Sequence, residues 1–170
     1  MTRQEWIEWA SRGAVLLDGA TGSNLRESGM PVGVSPDLWV LEHPEALLAL
    51  QRAYVEAGSQ ILCAATFSAN RLGLANFGLA EKVGELNAAL VALSKEAAGG
   101  KALVAGDLST VGRPLEPAGD LPYSMAYDIY REQMEALAAA GVDLLAVETL
   151  MGVDEAVAAL DAAADLGLPV

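Results

Sequence analysis

The sequence predicts an α/β fold built on a parallel sheet. Short apolar runs rich in Val, Leu and Ile alternate with longer segments of helical spacing, and each helical segment closes on a glycine. A strand that returns to the sheet after every helix implies parallel pairing and right-handed crossovers. Taken in order, an amphipathic helix from roughly Gln4 to Arg12 comes first, with Trp6 and Trp9 placed to cap a core. A strand at Ala14–Leu17 follows. The long connection from Gly19 to His43 contains Gly29-Met30-Pro31, Ser35-Pro36 and His43-Pro44, which predicts order through turns and short helical pieces. Leu47, Leu50 and Tyr54 share a helix face that ends at Gly58, and Gln60–Ala64 is the second strand. Val83, Leu86, Leu90, Leu93 and Ala97 mark the next helix, ending at Gly99, before a strand at Ala102–Ala105. Tyr130, Met134 and Leu137 mark a helix with Ser124 as N-cap and Gly141 at its end. The fourth strand is Asp143–Val147, and Val153, Val157, Leu160 and Ala164 share the face of the last helix, which ends at Gly167.

A weak repeat runs through this pattern. Ala57-Gly58-Ser59-Gln60-Ile61-Leu62 matches Ala140-Gly141-Val142-Asp143-Leu144-Leu145, and the two strands lead to Thr66 and Thr149. Repetition of a βα unit suits a (β/α)₈ barrel and equally a doubly wound sheet.

With 170 residues, 53% of them hydrophobic, the chain has material for one core. A net charge of −13 disfavours nucleic acid and anionic membrane surfaces as partners. One cysteine, Cys63, forms no intrachain disulfide, and no apolar run approaches the ~20 residues of a membrane span. With no signal-peptide pattern at the N-terminus, these features predict a cytoplasmic protein. Cys63 reads as a small buried hydrophobe inside its strand, and His43 as a helix-start residue rather than a metal ligand.

Active sites of parallel α/β folds lie beyond the C-terminal strand ends. Those ends carry Asp18, Asp107 and Glu148, a set of acids suited to an ammonium ligand, a metal or proton transfer. In Asp18-Gly19-Ala20-Thr21-Gly22, small residues let backbone N–H groups approach an anion, while Asp18 suits a cation; an amino acid has both charges. The same residues suit an ordinary tight βα turn capped by Asp18. The glycine spacing is neither that of a dinucleotide fingerprint nor that of a P-loop.

Several segments, in order along the chain, resemble the homocysteine S-methyltransferase family, especially the N-terminal homocysteine domain of cobalamin-dependent methionine synthase. They are Leu16 to Leu25, Glu42-His-Pro-Glu45, Tyr54-Val-Glu-Ala-Gly58, Ala65-Thr-Phe-Ser-Ala-Asn70, Glu116 to Leu121, Gln133 to Leu137, and Gly141 to Thr149. The resemblance implies a parallel (β/α) barrel of the TIM type. Residues 1–170 would supply the N-terminal helix and about the first four βα units of one incomplete domain. It implies transfer of a methyl group to homocysteine sulfur, activated by zinc on three cysteines. Asp18 and Glu148 match positions that bind the substrate ammonium, Gly19 and Ala20 the backbone that meets its carboxylate, and Thr66, Phe67 and Asn70 the pocket wall.

The zinc cysteines of the family lie later than Val170, so the resemblance assigns no metal ligand and no catalytic residue to this chain. Cobalamin on a partner domain or protein is the cofactor that it favours for the donor side. Asp107-Leu108-Ser109 departs from the family's usual Gly-Ser and Gly-Pro turn, which marks Asp107 as a variant group facing the donor. The chain alone is expected to bind homocysteine without methylating it, and to self-associate or pair with a C-terminal half. The alternatives are a zinc-free amino-acid-binding half-barrel, an inactive fragment, or a different α/β enzyme using Mg²⁺ on the acid cluster.

Overall fold

A computed structural model describes all of residues 1–170. Helix α1 (Arg3–Ala10) leads, and α2 (Gly22–Glu27) and α3 (Pro36–Glu42) occupy the long connection. Then come α4 (Pro44–Ala57), β1 (Ile61–Cys63), α5 (Arg71–Ala75) and α6 (Val83–Ala98). They are followed by β2 (Leu103–Leu108), α7 (Tyr123–Ala139), β3 (Leu144–Val147) and α8 (Val153–Ala163). The three strands form one parallel sheet in the order β1-β2-β3.

The sheet extends at both flanks through single contacts. Leu17 makes an isolated parallel bridge to Ile61, and the carbonyl of Pro169 accepts from the Leu145 N–H at 2.8 Å. The predicted strand at Ala14–Leu17 is therefore reduced to a bridge. It pairs on one side only, and Leu16 and Leu17 remain about half exposed, so neither a second ladder nor burial extends it.

Alternation along the strands divides the core. Leu62, Val104, Leu108 and Leu145 face the helices and join Tyr130, Met134 and Leu137 of α7 and the alanines of α8 in the largest cluster. Ile61, Ala105 and Leu144 point to the opposite face, where Trp6 and Trp9 pack over them. The tryptophan expectation holds, because α1 covers that face. Helix α1 is fixed by a capping box: Thr2 Oγ1 accepts from the Glu5 N–H, and the Glu5 carboxylate accepts from the Thr2 N–H.

Two helix details depart from expectation. Helix α7 begins one residue earlier than Ser124: its N-cap is Pro122, and Ser124 sits within the first turn. Proline fixes the extended entry backbone there without a side-chain cap. In α8 the buried face is Glu155, Ala158, Ala159, Ala162 and Ala163, while Val153, Val157 and Leu160 are exposed. The small alanines permit close packing on α7, so the larger aliphatic stripe turns outward.

Candidate functional site

Strand alternation also builds the site. Cys63 continues the non-helical face of Ile61, Asp107 that of Ala105, and Glu148 that of Leu144 and Ala146. Asp18 reaches the same end through its bridge to β1, where its N–H donates to the Ile61 carbonyl and its Oδ2 accepts from the Cys63 N–H at 3.1 Å. These four side chains line one cavity of about 620 Å³ at the C-terminal strand ends. Gly19, Ala20, Thr21, Gly22, Asp37, Phe67 and Ser68 complete its polar and aromatic wall.

The Gly19-Ala20 turn is held from behind. A Cβ on Gly19 would lie 2.9 Å from the Tyr54 hydroxyl and 3.0–3.1 Å from its ring edge, so any larger residue would push the tyrosine back from the turn. The Tyr54 hydroxyl donates to the Ala20 carbonyl at 3.0 Å, and the Asn24 amide donates to the same oxygen. The N–H groups of Gly19, Ala20, Thr21 and Gly22 donate to no protein acceptor.

Burial dominates the electrostatics. It raises Asp18 to about 6, with the Cys63 N–H opposing and the Glu148 charge adding to the rise. Burial raises Asp107 to about 8, and Glu148, Asp18 and Asp37 reinforce this. It raises Asp37 to about 6 against the hydrogen bond from Ser68. Cys63 is half-buried in the cavity wall rather than enclosed in the strand layer. Burial and the neighbouring carboxylates push its thiol well above the usual range, so it stays protonated.

Of the residues expected at the site, Asp18, Gly19, Ala20, Phe67 and Glu148 line the cavity; Thr66 and Asn70 lie behind it. Thr66 Oγ1 donates to the Asp107 carbonyl at 2.8 Å and accepts from its N–H at 3.1 Å. Asn70 Oδ1 accepts from the Gly73 N–H and caps α5. Sequence reading missed Asp37, whose backbone lies in the long connection. Its only sequence signal is an acid after the Ser35-Pro36 helix start. Glu155 was missed as well, because a carboxylate in a helix normally faces water.

A family model for homocysteine S-methyltransferases matches residues 15–170. The chain belongs to the homocysteine S-methyltransferase family. It is 35% identical over 135 residues to betaine–homocysteine S-methyltransferase 1 of Mus musculus, covering 76% of this chain and 32% of that protein. Identity to the S-methylmethionine–homocysteine S-methyltransferase of Pongo abelii is 31%, covering 96% of this chain and 44% of the relative. The chain thus spans less than half the length of these two relatives. Among solved structures, the metallated form of the homocysteine methyltransferase MmuM from Escherichia coli superposes with a TM-score of 0.78 at 26% identity. That match covers 92% of this chain and 61% of MmuM. The oxidized form gives the same TM-score at 28% identity, covering 88% and 57%.

The zinc of the family does not fit the residues present. No group of three or more His, Cys, Asp or Glu side chains is arranged to hold a metal. The chain offers one thiol, Cys63, where the zinc takes three. No helix is long and apolar enough to cross a membrane.

Proposed function

We propose that this chain is the homocysteine-recognising part of a homocysteine S-methyltransferase, and that its sheet and helices are the first βα units of a (β/α)₈ barrel. The observation that carries this reading is one cavity in which carboxylates stand beside unpaired backbone N–H groups. Asp18 and Glu148 accept hydrogen bonds from the substrate ammonium, and the N–H groups of Gly19 and Ala20 donate to its carboxylate. Phe67 supplies an apolar wall, while Thr66 and Asn70 hold that wall in place. Family membership supports the ligand, since methyl transfer to homocysteine sulfur is the family's reaction.

This part of the enzyme binds and orients homocysteine. In this reading, activation of the sulfur falls to zinc on cysteines outside these residues, since Cys63 alone supplies one thiol of the three. The relatives' names carry betaine and S-methylmethionine as donors, and these stand beside a corrinoid on a partner as candidate donors. Activity of these 170 residues alone is expected to be nil.

Calorimetric titration with homocysteine tests the reading. Asp18→Asn and Glu148→Ala each remove a charge-assisted hydrogen bond of about 1.5–3 kcal/mol, so each lowers affinity roughly tenfold to hundredfold. Unchanged affinity in both variants rejects the ammonium assignment.

A further inference from the structure

Four carboxylates line the cavity, from Asp18, Asp37, Asp107 and Glu148, and no lysine, arginine or histidine joins them. Homocysteine recognition as read above uses Asp18 and Glu148 for one ammonium. Asp37 is held by the Ser68 hydroxyl. Asp107 is left over. It is 6% exposed, lines the cavity, and its buried Oδ1 has no hydrogen-bond partner. An unpaired buried carboxylate oxygen is costly, and native structures keep one where a ligand or proton completes it. Thr66 bonds both the N–H and the carbonyl of Asp107, so the main chain cannot swing the side chain away.

The surroundings narrow what the missing partner is. Asp107 stands on central strand β2, with Asp18 beside β1 on one side and Glu148 after β3 on the other. An anionic or polyanionic molecule meets four acids there. A metal ion lacks a ligand set. The cavity wall also includes Leu17, Ala64, Ala65 and Phe67, which suit a cation that carries alkyl groups instead of N–H donors. Space allows a second ligand: homocysteine takes roughly 240 Å³ or less at about 30 Å³ per non-hydrogen atom, against the cavity's 620 Å³.

We infer that Asp107 selects the methyl donor by holding its onium centre, a sulfonium or quaternary ammonium, beside the homocysteine site. This rests on the homocysteine reading above. In the transfer, the homocysteine thiol proton leaves to solvent and the sulfur forms a bond to the methyl carbon. The onium S–C or N–C bond breaks, and its electron pair stays on the donor heteroatom as a neutral thioether or tertiary amine. The charge that Asp107 recognised disappears, so the spent donor loses its anchor and Asp107 takes up a proton again.

Two probes, glycine betaine and trimethylsulfonium chloride, test this by titration into the unliganded chain. Asp107 is about one-tenth ionised at pH 7 and about nine-tenths at pH 9. Onium affinity therefore rises roughly ninefold over that interval. The other acids facing it do not produce this rise: Asp18 and Asp37 are already ionised, and the Cys63 thiol stays protonated. Asp107→Asn keeps the shape, lowers onium affinity at pH 9 at least tenfold and flattens the pH profile. Binding of one probe alone identifies the onium type, and binding of both identifies the class. Binding of neither, or a flat profile in the wild-type chain, overturns the inference without recourse to the variant. A parallel titration of the wild-type chain with homocysteine reports separately on the underlying reading.

Discussion

At the scale of single residues, burial and three neighbouring carboxylates raise Asp107 further than any other carboxyl group of the cavity. Its carboxyl titrates at about 8, against 3.8 for an ordinary aspartate, while Asp18 and Asp37 reach about 6. Acids raised on folding favour the folded state only while protonated. Their contribution is complete below about pH 4 and is lost as pH rises through 6 and then 8. Between pH 6.5 and 7.5 the change belongs mainly to Asp107, at up to about 1.4 kcal/mol per pH unit. Urea unfolding at those two pH values should show this loss in the wild-type chain and little of it in Asp107→Asn. An equal slope in both would refute the assignment. The acids at 18, 107 and 148 were legible from sequence because strand ends of parallel folds collect function. The exposed Thr149, at φ 51°, was not. A β-branched residue with positive φ directly after Glu148 places backbone strain where the strand delivers its carboxylate.

Among the elements, α8 anchors the loop after β2 through one side chain. Glu155, on α8, is 2% exposed. Its Oε1 accepts from Thr110 Oγ1, the Val111 N–H and the Tyr130 hydroxyl, and its Oε2 accepts from the Met151 N–H. One carboxylate thus ties α8 to α7 and to both loops that leave β2 and β3. Glu155→Ala leaves these neutral donors unpaired and is expected to cost about 1–3 kcal/mol or more in chemical denaturation; a loss below about 0.5 kcal/mol would show that the network is dispensable. Helical spacing found α4, α6 and α7 and part of the buried face of each, Leu47 in α4, Val83, Leu86, Leu90 and Ala97 in α6, and Tyr130, Met134 and Leu137 in α7; it passed over the buried polar residues Gln51, Asn87, Ser94 and Gln133, which an apolar stripe does not mark. It misread the buried face of α8. That helix has two apolar stripes, one aliphatic and one of alanines, and periodicity alone ranks the larger side chains first. Packing on α7 reverses the ranking, since the close approach admits only alanine.

For the whole molecule, apolar surface at its two flanks sets the expected behaviour. Leu16 and Leu17 are 56% and 48% exposed beside β1, and Val153, Val157 and Leu160 are 79%, 43% and 55% exposed on α8. On the barrel proposed above, further βα units would cover both flanks. Without such cover, sedimentation velocity at tens of micromolar should show species larger than the 17.6 kDa monomer. Val157→Glu with Leu160→Lys should reduce that association. A monomer in the unmodified chain would mean that these flanks need no partner.

By itself, the sequence determined the class of the fold, the family and the acids at the strand ends. These are written in local periodicities, in short segments and in their order, which require no knowledge of distance. Only the tertiary structure decided which acids share a cavity, that Asp37 joins them from a remote connection, and that Thr66 clamps the backbone of Asp107 instead of lining the cavity. It also decided that Cys63 faces carboxylates and keeps its proton. Charge coupling and desolvation depend on separations in space and on the exclusion of water, and neither is fixed until β1, β2 and β3 stand side by side.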